Sequence, residues 1–184
     1  QIQPFVRELV RLTIHFMDDF AAYKRNKNVM DFNDIEHFAL QILKDQRNKQ
    51  TTPTAREFQA YYQEIMIDEY QDSNLVQEAI LTAVSRVHEG IRNIFMVGDV
   101  KQSIYRFRLA DPTIFLDKYR NFTPAENAAE GEDRKILLSK NFRSRGEILD
   151  AANFVFSNIL SAEMGEMEYG EDESLHFGAE YYLS

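Results

Sequence analysis

Three short stretches of this chain gather side chains that can do chemistry. In YYQEIMIDEYQDSN, residues 61–74, an apolar run ends in the adjacent carboxylates Asp68 and Glu69, with Asp72 close behind. A surface loop could carry such acids at no cost. A strand that delivers them to one point suits a magnesium ion, a water to be deprotonated, or both. The first acid at a strand end can hold Mg2+, directly or through water. The adjacent Glu69 can then orient and deprotonate an attacking water, a division of labour that nucleotide hydrolysis needs. The plainer reading of IMIDE is a strand running into a helix cap.

The second stretch is VGDVKQSIYRFRLADP, residues 97–112. Gln102 offers a neutral side chain with both donors and an acceptor, suited to sensing a phosphate oxygen without fixing it electrostatically. Tyr105 and Phe107 alternate with Arg106 and Arg108, so in an extended segment the rings share one side and the arginines the other. Rings stack on bases whatever the sequence and arginines neutralise phosphates, which makes this a compact single-strand platform. The same alternation also fits an amphipathic surface strand. The third stretch is LSKNFRSR, residues 138–145. Arg143 beyond a strand end suits a cation aimed at a γ-phosphate, and Phe142 a ring laid on a nucleotide base. A basic turn before a helix is the bland alternative.

The elements that must position these residues follow from periodicity. Phe5, Leu9, Leu12, Phe16, Phe20 and Tyr23 form a stripe at helical steps. A second helix is expected over DFNDIEHFALQILK, with Asn33 as cap, Glu36 three residues on, and Ile35, Phe38, Ala39, Ile42 and Leu43 inward. KDQRNKQTTP reads as a loop, and Thr54 with Glu57 as the cap of a short helix through Tyr62. EIMID and NIFMVGD read as buried strands on either side of a helix capped by Ser73 that buries Val76, Ile80, Ala83 and Val87. Strand, helix and strand at this spacing favour a βαβ unit in a parallel sheet. Asp111-Pro112 starts a helix with Phe115, Leu116 and Tyr119 inward, and NFTPAENAAEGEDRK has the composition of a linker. ILLS is expected as a third strand, and Ser144 with Glu147 as the cap of a helix burying Ile148, Ala152, Val155 and Ile159. In open parallel sheets ligands gather at the carboxyl ends of strands, where Asp68-Glu69, Asp99 and the segment after Ser139 all fall.

The bulk numbers bound the function. At 184 residues, with 44% hydrophobic and 28% charged residues, the chain is of the globular class. No apolar run approaches the ~20 residues of a membrane helix. The absence of cysteine excludes disulfides and thiolate metal sites and fits a cytoplasmic home. Of the net charge of −9, residues 161–184 hold seven acids and no Lys or Arg, which leaves −2 on the first 160 residues. A near-neutral body can host a local cationic groove, while strong nonspecific affinity for DNA by the chain alone is not expected.

Taken together, the acid pair, then Gly-Asp-x-x-Gln-Ser-x-Tyr-x-Phe-Arg, then Asn-Phe-Arg-Ser, in this order, resemble the UvrD/Rep-type superfamily 1 DNA helicases from about Asp31 to about Leu160. Leu109 after the aromatic–arginine pair, Lys101 before the Gln, and LSKNFRSRGEILDAANFVF look like the AddA (RexA) branch, the helicase subunits of bacterial AddAB helicase–nucleases. The resemblance implies an α/β fold: part of a RecA-like parallel sheet with flanking helices, plus an N-terminal helical segment. Residues 1–30 would return from an inserted helical domain, 31–120 complete the first RecA-like motor domain, 121–135 link, and 136–184 open the second.

It also implies roles. Asp68, with Glu69 beside it, would hold Mg2+, and Glu69 would act on the hydrolytic water. Gln102 would contact the γ-phosphate of ATP, Arg143 would serve as an arginine finger, and Phe142 would lie against the nucleotide. Tyr105 and Phe107 would stack on single-stranded DNA, supported by Arg108, in a protein that translocates 3'–5', unwinds duplex and serves double-strand-break repair and recombination. The partners implied are single-stranded and duplex DNA and an AddB-like subunit. The Gly-x-x-x-x-Gly-Lys loop of such motors is not in this sequence, so the chain is expected to be an excised middle section. It would be inactive alone and prone to self-association through an uncovered sheet. Two rival readings are an ATP-independent single-strand-binding module and a metal-dependent nuclease in which Asp68 joins Asp99-x-Lys101.

Overall fold

The computed structural model describes residues 3–165 and 167–179, with the side chains of Arg108 and Met164 left aside. Helices α1 (Gln3–Lys27), α2 (Phe32–Leu43) and α3 (Pro53–Tyr61) precede strand β1 (Ile65–Ile67), helix α4 (Leu75–Val84) and strand β2 (Ile94–Met96). Then come α5 (Pro112–Asn121), β3 (Thr123–Pro124), β4 (Arg134–Lys135), β5 (Lys140–Asn141), α6 (Gly146–Ile159) and β6 (His176–Phe177). The described strands form three parallel pairs, β1–β2, β3–β4 and β5–β6.

The stripe on α1 does form a helix, and Lys24, Arg25 and Lys27 place positive charge on its carboxyl-terminal turn. No residue of α1 is buried, however, and Phe5 and Phe16 stay 78% and 67% exposed. Its tie to α2 is ionic: Lys24 Nζ meets Asp31 at 2.9 Å and Asp34 at 2.6 Å. Those same aspartates cap α2. Asp31 accepts from the Asp34 N–H at 2.9 Å and Asp34 accepts from the Asp31 N–H at 3.0 Å, so the box sits two residues earlier than the expected Asn33. Thr52, with Pro53 at the first helical position, caps α3 in place of Thr54.

The core sits where α2, α3 and α4 meet, with Leu43, Ala55 and Ala83 buried and Ile80 and Val84 packed on them. The expected inward face of α2 is only partly inward: Ile35, Phe38 and Ile42 remain exposed. A polar contact turns the helix, since Gln77 Nε2 on α4 donates to Glu36 Oε1 at 2.7 Å. That bond holds the Glu36 side of α2 against α4 and leaves Ile35, Phe38 and Ile42 outward.

The βαβ expectation holds in its pairing: Ile65, Met66 and Ile67 lie parallel to Ile94, Phe95 and Met96 in register. Asn74, not Ser73, caps α4, because its Oδ1 reaches both the Val76 and Gln77 N–H at 2.9 Å. Val87 lies beyond α4, in a short 3-10 turn. Neither strand is buried on both faces. Ile65, Ile67, Ile94 and Met96 are half-covered, while Met66 and Phe95 point out at 71% and 56% exposure. Helix α5 begins as expected at Asp111-Pro112 and buries Leu116 at 3% exposure. Leu116→Ala should therefore lower the chain's stability by about 2–5 kcal/mol, read as a lower urea midpoint.

Beyond α5 the chain departs further from expectation. The Pro- and Gly-containing stretch folds back on itself, with the Thr123 N–H on Asp133 O and the Ala125 N–H on Lys135 O, and Arg92 pairs with Asp133 at 2.7 Å. ILLS is not a strand: Ile136 and Leu138 are exposed, and pairing starts only at β5. The partner backbone arrives from residues 176–178, which meet Ser139 O and Asn141 O, so the ladder begins where that segment passes. The cap at Ser144–Glu147 is replaced by Asn141 Oδ1, which accepts from the N–H of Arg143 at 2.9 Å and of Ser144 at 2.8 Å. Helix α6 buries Leu149 and leaves Ile148, Val155 and Ile159 exposed. Asn153 sets that rotation by holding the Leu175 N–H and C=O, both at 2.9 Å. The acidic stretch is thus bound in part to the body, up to the buried Ala179. Among the described residues no helix is long and apolar enough to cross a membrane.

Candidate functional site

The strand β1 delivers Asp68 and Glu69 to its carboxyl end, and Glu69 then adopts φ 51°, ψ 41°. A glutamate in the left-handed region carries strain of order 1–3 kcal/mol, of the kind that clusters at functional sites. The turn sends Tyr70 into the core at 1% exposure while both carboxylates stay at the surface. Tyr70 is fixed from two sides. Its N–H donates to Val97 O at 2.9 Å, and its hydroxyl donates to Glu78, which Lys118 Nζ also holds at 2.8 Å. Burial, reinforced by Glu78, pushes the Tyr70 phenol far above its ordinary range, so it acts as a hydrogen-bond donor and not as an acid. Asp68 Oδ1 accepts the Glu69 N–H at 2.9 Å, leaving Oδ2 toward solvent.

At the end of the neighbouring β2, Asp99 organises the second loop. Its Oδ1 takes Lys101 Nζ at 2.9 Å and the Lys101 N–H at 3.1 Å, and its Oδ2 takes Gln102 Nε2 at 3.0 Å. Burial alone would raise the Asp99 carboxyl, but the bonds from Gln102 and Lys101 outweigh it and hold the group below its usual value. A depressed carboxyl contributes stability that is present above its unfolded pKa and is lost as pH falls through the folded one. Asp99→Asn should accordingly flatten the acid limb of the stability–pH curve, which urea titrations between about pH 5 and pH 2 would read.

The two strand ends are joined by Gln71, which is 1% exposed. Its Nε2 donates to Glu69 Oε2 at 2.7 Å and its Oε1 accepts from the Asp99 N–H at 2.9 Å. Asp68, Glu69, Asp99 and Gln102 thus form one hydrogen-bonded group. An open cleft of about 380 Å³ adjoins it, lined by Asp68, Glu69, Asp72, Gln77, Ile80 and Leu81. Burial and the neighbouring Glu69 raise the Asp72 carboxyl, whose Oδ1 has no hydrogen-bond partner.

Tyr105 and Phe107 come together, but not as an extended segment predicts. Arg106–Arg108 is a 3-10 turn closed by Leu109 at φ 67°, and the rings sit 5.9 Å apart with planes tilted 47°. Their alternation with the arginines therefore does not place them on opposite sides of a strand; turn geometry replaces it. Phe107 is 76% exposed and Tyr105 38%. The side chain of Arg108 lies outside the described residues.

Phe142 and Arg143 belong to a separate cluster at the end of β5. Asn141 shapes their turn, and Phe142 lies so close to Gly178 that a Cβ there would stand 2.8 Å from the ring. The ring is 58% exposed on its other side.

Residues 3–123 match the family model of the UvrD/REP helicase N-terminal domain. Over 182 residues the chain is 48% identical to AddA, the ATP-dependent helicase/nuclease protein of Staphylococcus haemolyticus, covering 99% of this chain and 14% of that protein. The AddA proteins of Clostridium novyi and Geobacillus kaustophilus are 49% and 48% identical over 98% of the chain, covering 14% and 15% of their lengths. The chain belongs to the UvrD/REP helicase family. Within it, the likeness is to AddA across nearly the whole chain.

In this UvrD/REP family chain, two of the three predicted clusters, the acid pair and the Gln102 loop, are gathered through a residue that pattern reading passes over. Gln71 lies two positions past Glu69 and carries no charge. Its one sequence-level signal is a polar side chain in a segment too apolar on either side to remain outside. Lys101 is likewise assigned by geometry, as the cation on Asp99. The donor set suits magnesium, which takes one or two carboxylates together with waters and substrate phosphate. Asp68 Oδ2 and the exposed Glu69 can supply that share. No cluster of three acidic or histidine ligands occurs among the described residues.

Proposed function

We propose that this chain is the section of an AddA-type, ATP-dependent DNA helicase that holds the metal and water side of the ATP site and couples it to single-stranded DNA. The observation that carries the reading is the hydrogen-bonded group linking the Asp68–Glu69 end of β1 to the Asp99–Gln102 loop after β2. Asp68 and Glu69 hold Mg2+, whose chemistry is to neutralise the triphosphate and orient it. Glu69 takes the proton of the attacking water. Gln102, anchored by Asp99, meets the γ-phosphate; Arg143 contributes a cation to the same phosphate and Phe142 a face for the nucleotide. Tyr105 and Phe107 stack on bases, with Arg108 at the same junction. Gln102 and Tyr105 are close neighbours in one loop, so loss of the phosphate can shift the base-stacking rings.

In this proposal residues 1–30 return from a helical domain, 31–120 complete a RecA-like motor domain, 121–135 link, and 136–184 open a second one. The open Met66/Phe95 face of the β1–β2 pair would be covered by further RecA-like strands in the parent, or by a second copy of the chain. The parent translocates 3'–5' in the cytoplasm and serves double-strand-break repair together with an AddB-like partner. This chain spans about 14% of the relatives it matches. Without the phosphate-binding loop the chain alone should release no phosphate from ATP, with or without single-stranded DNA; turnover sensitive to Glu69→Gln would refute that part. In the full-length parent, Gln102→Ala should cut DNA-stimulated ATP hydrolysis by about 10-fold or more while single-strand affinity without nucleotide stays near wild type.

A further inference from the structure

We propose that Gln71 is a positioning residue that aims the Glu69 carboxylate and couples it mechanically to the loop carrying Gln102 and Tyr105. The proposal rests on the reading of Glu69 as the base of ATP hydrolysis. Four observations support it. Gln71 is 1% exposed, so its amide has no water to fall back on. Its orientation is set by chemistry: the Asp99 backbone N–H can only donate, at 2.9 Å, so that contact is Oε1 and the NH2 faces Glu69 at 2.7 Å. Its backbone carbonyl takes the Ser103 hydroxyl at 3.4 Å, next to Gln102 on the same loop. Finally, a Cβ on Gly98 would stand 2.6 Å from Gln71 Oε1 and 3.2 Å from its backbone nitrogen, so the second loop presses directly on Gln71.

An amide is the group that satisfies both contacts. A carboxylate would accept from Asp99 but repel Glu69, and a thioether would fill the space and bond to neither. Because buried polar groups are costly to leave unmatched, a rotation of the Glu69 carboxylate displaces Gln71, and Gln71 can move only by moving Asp99 and Ser103. The strained left-handed backbone of Glu69 is held in place from the same side.

The test uses the full-length parent with Gln71→Glu and Gln71→Met. Gln71→Glu is nearly isosteric and keeps the Asp99 contact, so it guards against loss of the fold. ATP turnover is expressed per nucleotide site, titrated with a fluorescent ATP analogue, so unfolded protein drops out. DNA-stimulated kcat is expected to fall about 10–100-fold, as for removal of partners that orient a site ligand, with the KM for ATP and nucleotide-free affinity for oligo-dT unchanged. A DNA-stimulated kcat within about twofold of wild type in either variant overturns the proposal. So does a parallel loss of nucleotide and oligo-dT binding, which would make Gln71 a packing residue. Glu69→Gln, run alongside, separates the two levels. If it still turns over, the assignment of the base fails and this proposal with it. If it is dead while the Gln71 variants run at wild-type rate, the coupling alone fails.

Discussion

Glu69→Gln in the full-length parent is expected to lower ATP turnover by about 10²–10⁴-fold, the range that a positioned general base supplies. The substitution is nearly isosteric, and the amide oxygen it introduces can still accept from Gln71 Nε2, so the turn at the end of β1 has no reason to change. ATP affinity should therefore survive, and the loss should fall on kcat with KM within a few-fold of wild type. Steady-state phosphate release with saturating single-stranded DNA reads both parameters. A variant that kept its kcat would remove Glu69 from the chemistry and leave the acid pair as a strand-end turn. One that lost nucleotide binding would instead make Glu69 chiefly a metal ligand.

The second large effect is on DNA. Tyr105→Ala and Phe107→Ala should each weaken single-strand binding by about 1–3 kcal/mol, the worth of one stacked base. The rings stand 5.9 Å apart and are tilted, so they cannot both stack on one flat base. The pair should lose more together than either does alone. Stacking does not release counterions, so the slope of log affinity against log salt should hold while the affinity drops. Fluorescence anisotropy with labelled oligo-dT at several salt concentrations would show this. A fall in the slope would mean that the substitutions had disturbed the neighbouring arginines. Unchanged affinity would make the exposed Phe107 ring a surface for protein.

Much of this arrangement is legible from residue types and local geometry. The βαβ unit, the acid pair at the end of β1, the cap at Asp111-Pro112 and the family itself rest on patterns of a few neighbouring residues, where steric and hydrogen-bonding rules act within one or two turns. The helix caps show the limit of that reading, because DFND and QTTPT each offer several short polar side chains. Which one caps depends on the backbone angle at which the preceding chain enters. Helix rotation is less legible still. Phe38 and Ile42 have the hydropathy of core residues, yet the bond from Gln77 to Glu36 turns them outward. The strand expected at ILLS moves to Lys140–Asn141 because a β-pair exists only where a partner passes, and that partner comes from residue 176.

The chemistry divides in the same way. Residue types and their order establish which groups are present: two carboxylates, a glutamine, two rings and an arginine, set at strand ends and turns by local hydropathy. Their connections come from folding. It places Gln71 between the two strand ends, gives Lys101 to Asp99, and makes the Tyr105–Phe107 segment a 3-10 turn instead of a strand. The physical reason is that a hydrogen bond between residues distant in the chain depends on where two backbones meet. Gln71 is an ordinary polar residue until the parallel pairing of β1 with β2 brings the Asp99 N–H within reach of its carbonyl.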